Sequence, residues 1–433
     1  MPKIVKKELV ASVKGMHDIL SDDALYVDRV IKESKRVSEF YGFGHIMTPH
    51  LEKTELFERP LGEASDVVEK QMYNLRTRGG DKLTLRPEGT APIMRAYLEH
   101  GMVSMPQPVK LYYAGSFFRH ESPQAGRFRE FRQVGLEIIG EEDAINDAII
   151  IRVLVSTLQS LGLKDIIVNV NTLGDKVCRG AFRKELLAYY RKNYERLCRD
   201  CKRRFKENPL RLLDCKEETC QALGAQSPQM VDYACEACRK HFSEVLEFLD
   251  EMTIPYFLDS RLVRGFDYYG RTVFEIFPSD TPAGEIALAL GGGGRYDDLA
   301  ELLGARRIPG VGGALGVERV IDLLKKKGIK ARADVKPKLF LIQLGPAAKK
   351  KSLILVEELR KIGVPVAQSL SRDSLRSQLN IVVKLQIPIA IILGQKEAID
   401  GTVAVRNMET GVQETIPFDK FIGTIKARLK EFS

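Results

Sequence analysis

The sequence predicts an α+β domain, an antiparallel sheet flanked by helices and interrupted by a helical insertion, followed by a separate C-terminal α/β domain. Three observations carry this. Residues 110–140 contain two aromatic and β-branched runs, KLYYAGSFFR and EFRQVGLEIIG, joined by a polar loop with Pro123 and Gly126, the pattern of a long antiparallel hairpin. Residues 176–255 are charge-rich and lack strand alternation, so they read as a mostly helical insertion. Beyond a basic stretch, LFLIQLG, VPVAQSL, IPIAIILG and GTVAVRNM are short strands separated by helical segments, closing in a hairpin at METG. The predicted boundaries are 1–325 for the first domain, 326–336 for a solvated linker and 337–433 for the second.

Along the chain, Ser21 to Tyr41 predicts an opening helix. Ser21 is the candidate N-cap, Asp22 and Asp23 suit the positive helix start, and Gly42 suits the stop. Val27, Val30, Ile31, Val37 and Tyr41 recur at helical spacing and form its packing face. A helix is predicted from about residue 142 to 161, then a strand IIVNVNTLG, with further strands at 261–276 and 285–290. At 433 residues the chain exceeds one ordinary core, and 44% hydrophobic with 29% charged residues fits a globular protein. The apolar stretch 381–394 is interrupted by Lys384 and Gln386 and is too short to span a bilayer. MPKIVKKELV has no signal-peptide core behind it. The expectation is a cytoplasmic protein without membrane attachment.

Charge is unevenly spread. Of the 67 Lys and Arg and 58 Asp and Glu, residues 336–433 hold 16 and 9, leaving 51 and 49 for the rest. A basic excess confined to the last quarter is what a polyanion-binding module carries, and equally what a solvated basic surface carries. All seven cysteines fall between Cys178 and Cys238. An odd, clustered set in a chain of this size argues against a disulfide framework. Cys198-x-x-Cys201 and Cys235-x-x-Cys238, with Cys215 and Cys220 between, have the spacing of four thiolates on a structural zinc, and also of free thiols in a helical segment; the spacing leaves both open.

For chemistry, no Gly-x-x-x-x-Gly-Lys-Ser/Thr loop is present, and ALGGGGRYDDL at 289–299 lacks the spacing and βαβ context of a dinucleotide fingerprint. Its contiguous glycines permit either a flexible turn or a close backbone approach. The hairpin places Arg119 at a strand end, Glu121, Arg127 and Arg129 in the loop, and Gln133 and Glu137 on one face of the returning strand. A solvated sheet surface would produce that face. Arginines at a strand end instead favour bidentate phosphate recognition in place of a phosphate loop. LTLRPEGT at 83–90, LVRGFDYYGRTVFEI at 262–276 and GVGGALGVERV at 310–320 each set a few charges into apolar runs.

Together these segments resemble the class II aminoacyl-tRNA synthetases, specifically the histidine enzymes. FRHESPQAGRFREFRQ resembles motif 2 and GVGGALGVERV motif 3. TLRPEGT looks like the amino-acid-binding segment, while LVRGFDYYGRTVFEI and ALGGGGRYDDL resemble the two histidine-specific motifs. Motif 1 is the weakest match, around GFGHIMTPHLEKTELF. The C-terminal module resembles a class IIa anticodon-binding domain, so the likeness spans almost the whole chain. Phe266 and Gly270 stand where the usual pattern has Leu and a polar residue.

The resemblance implies a class II antiparallel sheet on which ATP activates L-histidine to the adenylate, and transfer of histidine to the 3′ end of tRNA(His). It assigns Arg264 to the carboxylate and α-phosphate, Arg119 to the α-phosphate and Arg319 to the γ-phosphate, with Mg2+ bridging phosphate oxygens; Glu121 and Arg127 join the ATP site. Glu88, Gly89, Thr90, Gln133 and Glu137 fall at positions around the substrate ammonium, and Tyr268 and Tyr269 around the imidazole. A carboxylate and a phenol suit the two ring nitrogens. Gly291 to Gly294 would lie against the ligand with Arg295 and Tyr296 beside them. Gln124, Arg127 and Arg129 become candidates for the tRNA acceptor end, and a homodimer through motif 1 is expected. The rival readings are a regulatory paralogue serving ATP phosphoribosyltransferase, a scaffold that only binds RNA, and a sister synthetase for another amino acid. The complete arginine set argues against the first two and LVRGFDYYGRT against the third.

Overall fold

A computed structural model describes residues 10–61, 67–121, 126–281, 288–331, 337–369 and 374–430. Two compact units emerge, Met1–Ala331 and Arg332–Ser433.

In the first unit the strands are β1 (Gly44–His45), β2 (Leu51–Lys53), β3 (Tyr73–Arg76), β4 (Lys82–Leu85), β5 (Val109–Phe118), β6 (Glu130–Ile139), β7 (Ile166–Thr172), β8 (Tyr256–Leu258), β9 (Gly270–Pro278), β10 (Gly291–Arg295) and β11 (Gly310–Gly316). Eight of them form one sheet in the order β1-β5-β6-β11-β10-β9-β7-β8. The predicted hairpin is its longest ladder, β5 against β6 from Val109↔Ile139 to Phe118↔Glu130. Strands β6, β11, β10, β9 and β7 continue antiparallel, and β1 and β8 close the edges with parallel pairs. A separate sheet β2-β4-β3 stands beside it.

One face of the large sheet is covered by the helices Ser21–Phe40, Ile145–Ser160 and Val317–Lys326, which share a core with Val134, Leu136, Ile138, Phe274 and Ile276. Because side chains alternate along a strand, Gln133, Gly135 and Glu137 point the other way. That opposite face is packed at Glu137, which is fully buried, and open at Gln133. The insertion lies between β7 and β8 as helices Lys176–Lys192, Arg199–Glu207, Glu218–Ala225 and Glu236–Glu251, with its own core around Phe182, Leu186 and Tyr190.

Several sequence expectations are corrected. The N-cap of the opening helix is Leu20, without a side-chain cap, and Ser21 is already helical; Gly42, at φ +78°, does follow the stop. Residues 261–269 are not a strand, and β9 begins only at Gly270. The strand expected at 285–290 falls partly on residues outside the described set, and 288–290 are not extended in a ladder. Instead the glycine run Gly291–Gly294, read as a turn or a close approach, is itself a central strand.

The second unit has a five-stranded sheet, β12 (Leu339–Gln343), β13 (Val366–Gln368), β14 (Ile389–Leu393), β15 (Thr402–Asn407) and β16 (Gln413–Pro417), in the order β13-β12-β14-β15-β16. The first three are parallel and the last two antiparallel, so the predicted terminal hairpin is β15–β16. Leu341, Ile391 and Val403 pack on one face, Phe340, Ala390 and Ala404 on the other. Of the predicted linker 326–336, residues 332–336 lie outside the described set, and its first residue, Lys326, still ends the helix Val317–Lys326.

Candidate active site

Above the second face of the large sheet lies a cleft of about 950 Å³. Its floor is β6, β11, β10 and β9. Arg119, at the end of β5, Arg264, before β9, and Arg319, on the helix after β11, converge on it from three parts of the sequence. Nη1 of Arg264 donates to Oε1 of Glu275 at 2.7 Å, and its guanidinium lies 5.5 Å over the Tyr269 ring. Its Nε is buried without a hydrogen-bond acceptor among the described residues, an orphaned donor of the kind a ligand satisfies. Arg119 donates from Nε to the Pro87 carbonyl at 2.9 Å and packs between Phe131 and Phe266, its guanidinium 5.2 and 5.4 Å from the ring centres. Arg319 is oriented by the carbonyls of Ala289 (2.8 Å) and Gly126 (3.2 Å). Burial, then repulsion from Arg127 and Arg119, depresses its pKa, as expected where like charges await an anion.

Deeper in, two carboxylates are held in contrasting ways. Glu88 receives the backbone amides of Thr90 (2.6 Å) and Ala91 (2.9 Å) at the start of the helix Thr90–Glu99, and the Tyr268 hydroxyl at 3.3 Å. Burial still pushes its pKa up, and the amide bonds oppose that shift. Among the described residues Glu137 has only hydroxyl partners: Tyr296 donates to Oε2 at 2.5 Å and Thr90 to Oε1 at 2.9 Å. With no cation beside it, burial raises its pKa from 4.5 to about 8. Gly312 makes room for it, since a Cβ there would lie 1.7 Å from Oε2. Gly89 and Gly135 likewise seat the Tyr113 ring, which a Cβ at either would meet within 2.6 Å.

Comparison with known proteins accounts for this constellation. Residues 15–320 match the family model described as Histidyl-tRNA synthetase. The chain belongs to the histidyl-tRNA synthetase family. Residues 338–428 match the model described as Anticodon binding domain. The histidine–tRNA ligase of Dehalococcoides mccartyi strain 195 is 44% identical over 418 residues, covering 96% of this chain and 99% of the relative. That of Pelotomaculum thermopropionicum is 40% identical over 421 residues, covering 97% and 98%. The crystal structure of apo histidyl-tRNA synthetase from S. aureus superposes with a TM-score of 0.77 at 31% identity, covering 96% of this chain and 99% of that one. The fold is thus the class II one of histidyl-tRNA synthetases.

Within this synthetase fold, Arg119, Glu121, Arg127, Gln133, Arg264 and Arg319 all line the cleft. Glu88, Thr90, Glu137, Tyr268 and Tyr269 form a buried polar cluster beside it. Two expected residues stand apart. Arg129 donates to the carbonyls of Glu121 and Lys14, bracing the loop against the N-terminal segment. Arg295 does not lie beside the ligand face: it is fully buried, ion-paired to Asp147 of the helix Ile145–Ser160 and to Asp297 at 3.1 Å, and it drives the Asp147 pKa down to about 2 against the burial that would raise it. Its role is to clamp sheet to helix. Tyr296, by contrast, does reach Glu137. Gln124 lies outside the described residues. The reading by residue pattern passed over Glu275 and Tyr113. A single carboxylate in the apolar run TVFEI was the available signal for Glu275; nothing local marks Tyr113.

Glu137 gives a pH signature. Its folded pKa is raised, so the folded protein favours the protonated acid. The associated stability is fully present below 4.5 and is lost as pH rises through about 8. Between these limits the ligand-free protein should lose up to about 1.4 kcal/mol per pH unit from this one group. Glu137→Gln should flatten that slope in thermal unfolding followed across the window; identical slopes in the two proteins would mean that Glu137 is already ionised.

Proposed function

We propose that this chain activates L-histidine with ATP to histidyl-adenylate, releasing pyrophosphate, and then transfers the histidyl group to the 3′ end of tRNA(His), releasing AMP. The observation that carries this reading is the convergence of Arg119, Arg264 and Arg319 on one cleft next to a buried cluster of two carboxylates and several phenols.

The histidine carboxylate attacks the α-phosphorus in line, and charge accumulates on the phosphate oxygens. Arg264, fixed by Glu275, keeps Nε for the reacting carboxylate and α-phosphate. Arg119, held by Pro87 and two rings, faces the same centre, and Arg319 takes the γ-phosphate, with Glu121 and Arg127 completing the ATP site. Cations fixed before the reaction need no reorganisation as charge develops, which is what lowers the barrier. The ammonium is assigned to Glu88, with Gly89, Thr90 and Gln133 around it. The ring is assigned to Tyr268 and Tyr269 as the resemblance implies, together with Tyr296 and the Glu137 it bonds, which moves Glu137 from the ammonium, where the resemblance put it, to the ring. An apolar look-alike would offer Glu137 and these hydroxyls nothing in place of the two ring nitrogens, a loss of hydrogen bonds that gives discrimination of roughly 10⁴-fold at sites built for a polar substrate. Mg2+ fits the cleft chemically, because Glu275 and Glu318 bring hard carboxylate oxygens to the wall beside Arg264 and Arg319. These two would hold it, and when bound it neutralises phosphate charge.

In the second step the terminal ribose hydroxyl attacks the adenylate, with Gln124 and Arg127 as acceptor-end contacts and Arg129 bracing Glu121. The unit 332–433, basic and matched to an anticodon-binding family, is assigned to the anticodon. A homodimer is supported by the exposed Phe40, Met47 and Leu51 around the edge strand β1. A cytoplasmic location agrees with the pairing of substrates; no described helix is long and apolar enough to cross a membrane.

The test is amino-acid-dependent exchange of pyrophosphate into ATP with magnesium present, across all twenty amino acids. Exchange with histidine alone supports the reading. No exchange from folded protein would move the assignment to a regulatory paralogue, and exchange with another amino acid to a sister synthetase.

A further inference from the structure

All seven cysteines of the chain lie within the helical insertion, and the fold sorts every one of them into two groups of four donors. Cys198, Cys201, Cys215 and Cys220 form one group; Asp175, Cys178, Cys235 and Cys238 form the other. Within each, the potential ligand atoms all lie within 4.8 Å of one another. Were cysteine serving here only as a small apolar residue, it would not be confined to these two points while the remaining core of the chain uses none.

The geometry points to two structural zinc ions in the insertion, one held by four thiolates and one by three thiolates and the Asp175 carboxylate. A tetrahedron with Zn–S arms of about 2.3 Å has edges of about 3.8 Å. The Cys198 and Cys215 sulfurs are 3.8 Å apart.

Backbone amides already point at the sulfurs. Cys198 caps the helix Arg199–Glu207 and accepts from the Cys201 amide at 3.4 Å, while its own amide donates to the Cys220 sulfur at 3.3 Å. In the second group the Cys235 amide donates to the Cys178 sulfur at 3.1 Å, and Asp175 caps the helix Lys176–Lys192 through the Cys178 amide at 2.9 Å. Each Cys-x-x-Cys therefore sits at the first turn of a helix, where N–H groups favour thiolate over thiol. The two sites divide the work topologically. The four-cysteine site staples the middle of the insertion, and the second joins the start of its first helix to the start of its last, some sixty residues later. A module of this size, with a core of its own, is the kind that a metal stabilises.

The four-cysteine site also bears on catalysis. Cys198 and Cys215 themselves lie on the wall of the active-site cleft, together with Arg204, Arg211 and Lys216. From this wall Asn208 donates to Asp267 at 2.8 Å, and Arg211 to the Gly265 carbonyl at 3.4 Å, next to Arg264. Zinc would fix this wall against the loop that carries the catalytic arginine, without contacting substrate.

The test is metal analysis of the purified full-length protein, with cobalt(II) reconstitution and two double variants, C215S/C220S and C235S/C238S. Two zinc equivalents per chain are expected, falling to one in each variant, and cobalt should give the visible absorption of tetrahedral thiolate coordination. Stripping zinc from wild-type protein with a chelator should lower the unfolding temperature and raise KM more than it lowers kcat, with zinc restoring both. Metal-free folded protein whose seven thiols react with a thiol reagent regardless of chelator would overturn the proposal. One equivalent, lost in only one variant, would overturn the other site.

Discussion

Replacing Arg264 with Ala should reduce histidine-dependent pyrophosphate exchange by about 10²- to 10³-fold or more in kcat, the effect of removing one preorganised group that stabilises transition-state charge. The loss should leave the fold intact for a specific reason. Arg264 is tied to the structure chiefly through Glu275, and that carboxylate is 27% exposed, so water can replace the missing guanidinium without leaving a buried charge. Arg264→Lys should recover only part of the rate, because an ammonium keeps the charge and loses the fork that holds Glu275 with one nitrogen while offering Nε to the ligand. Neighbours Tyr269 and Glu275 hold the Arg264 pKa up, although burial alone would lower it, so the cation persists across the working pH range and the defect should not be rescued by changing pH. Near-normal exchange by a folded Arg264→Ala protein would remove Arg264 from the mechanism.

Deleting the second unit should separate the two half-reactions. Residues 1–331 contain the whole cleft and a sheet with its own cores. Residues 332–433 have an independent sheet packed on both faces. A protein ending at residue 331 should therefore retain histidine activation within about tenfold, while charging of tRNA(His) falls by roughly 10²-fold or more, the scale lost when one of two linked binding modules is removed. The residual charging should depend less steeply on salt, because the basic excess of the last quarter would no longer meet phosphate. Equal loss of both activities in a folded truncation would assign the unit a structural role. Circular dichroism and a thermal melt on the same preparation separate that result from simple unfolding.

Local pattern was enough for much of this architecture. The β5–β6 hairpin is legible because its alternation and its turn residues lie within thirty positions of each other. The same holds for the helical insertion and the strand-helix alternation beyond residue 338, where the period of each segment is set by its own neighbours in sequence. The charge of the final quarter needs no fold at all. Arg119, Arg264 and Arg319 could be picked out as a set only through the resemblance of their segments to synthetase motifs, since each run taken alone is equally well read as packing with exposed charges.

What the tertiary structure decided is where long-range packing overrides or completes the local signal. Gly291–Gly294 has neither alternation nor β propensity, yet it is a central strand, because β9 and β11 flank it so tightly that a Cβ on Gly293 would lie 2.0 Å from the Gly312 carbonyl. Arg295 follows that strand into the interior because Asp147, far away in sequence, is waiting there. The face bearing Glu137 could also have been a solvated sheet surface, and only the arrival of Thr90 and Tyr296 from distant segments buried its carboxylate. Cysteine spacing left zinc open beside the blander reading of free thiols, whereas folding gathered Asp175 with three cysteines and the other four with one another. Sequence periodicity reports how a segment presents its own side chains; which partner meets them depends on chain entropy and packing across the whole domain, and that is settled only in three dimensions.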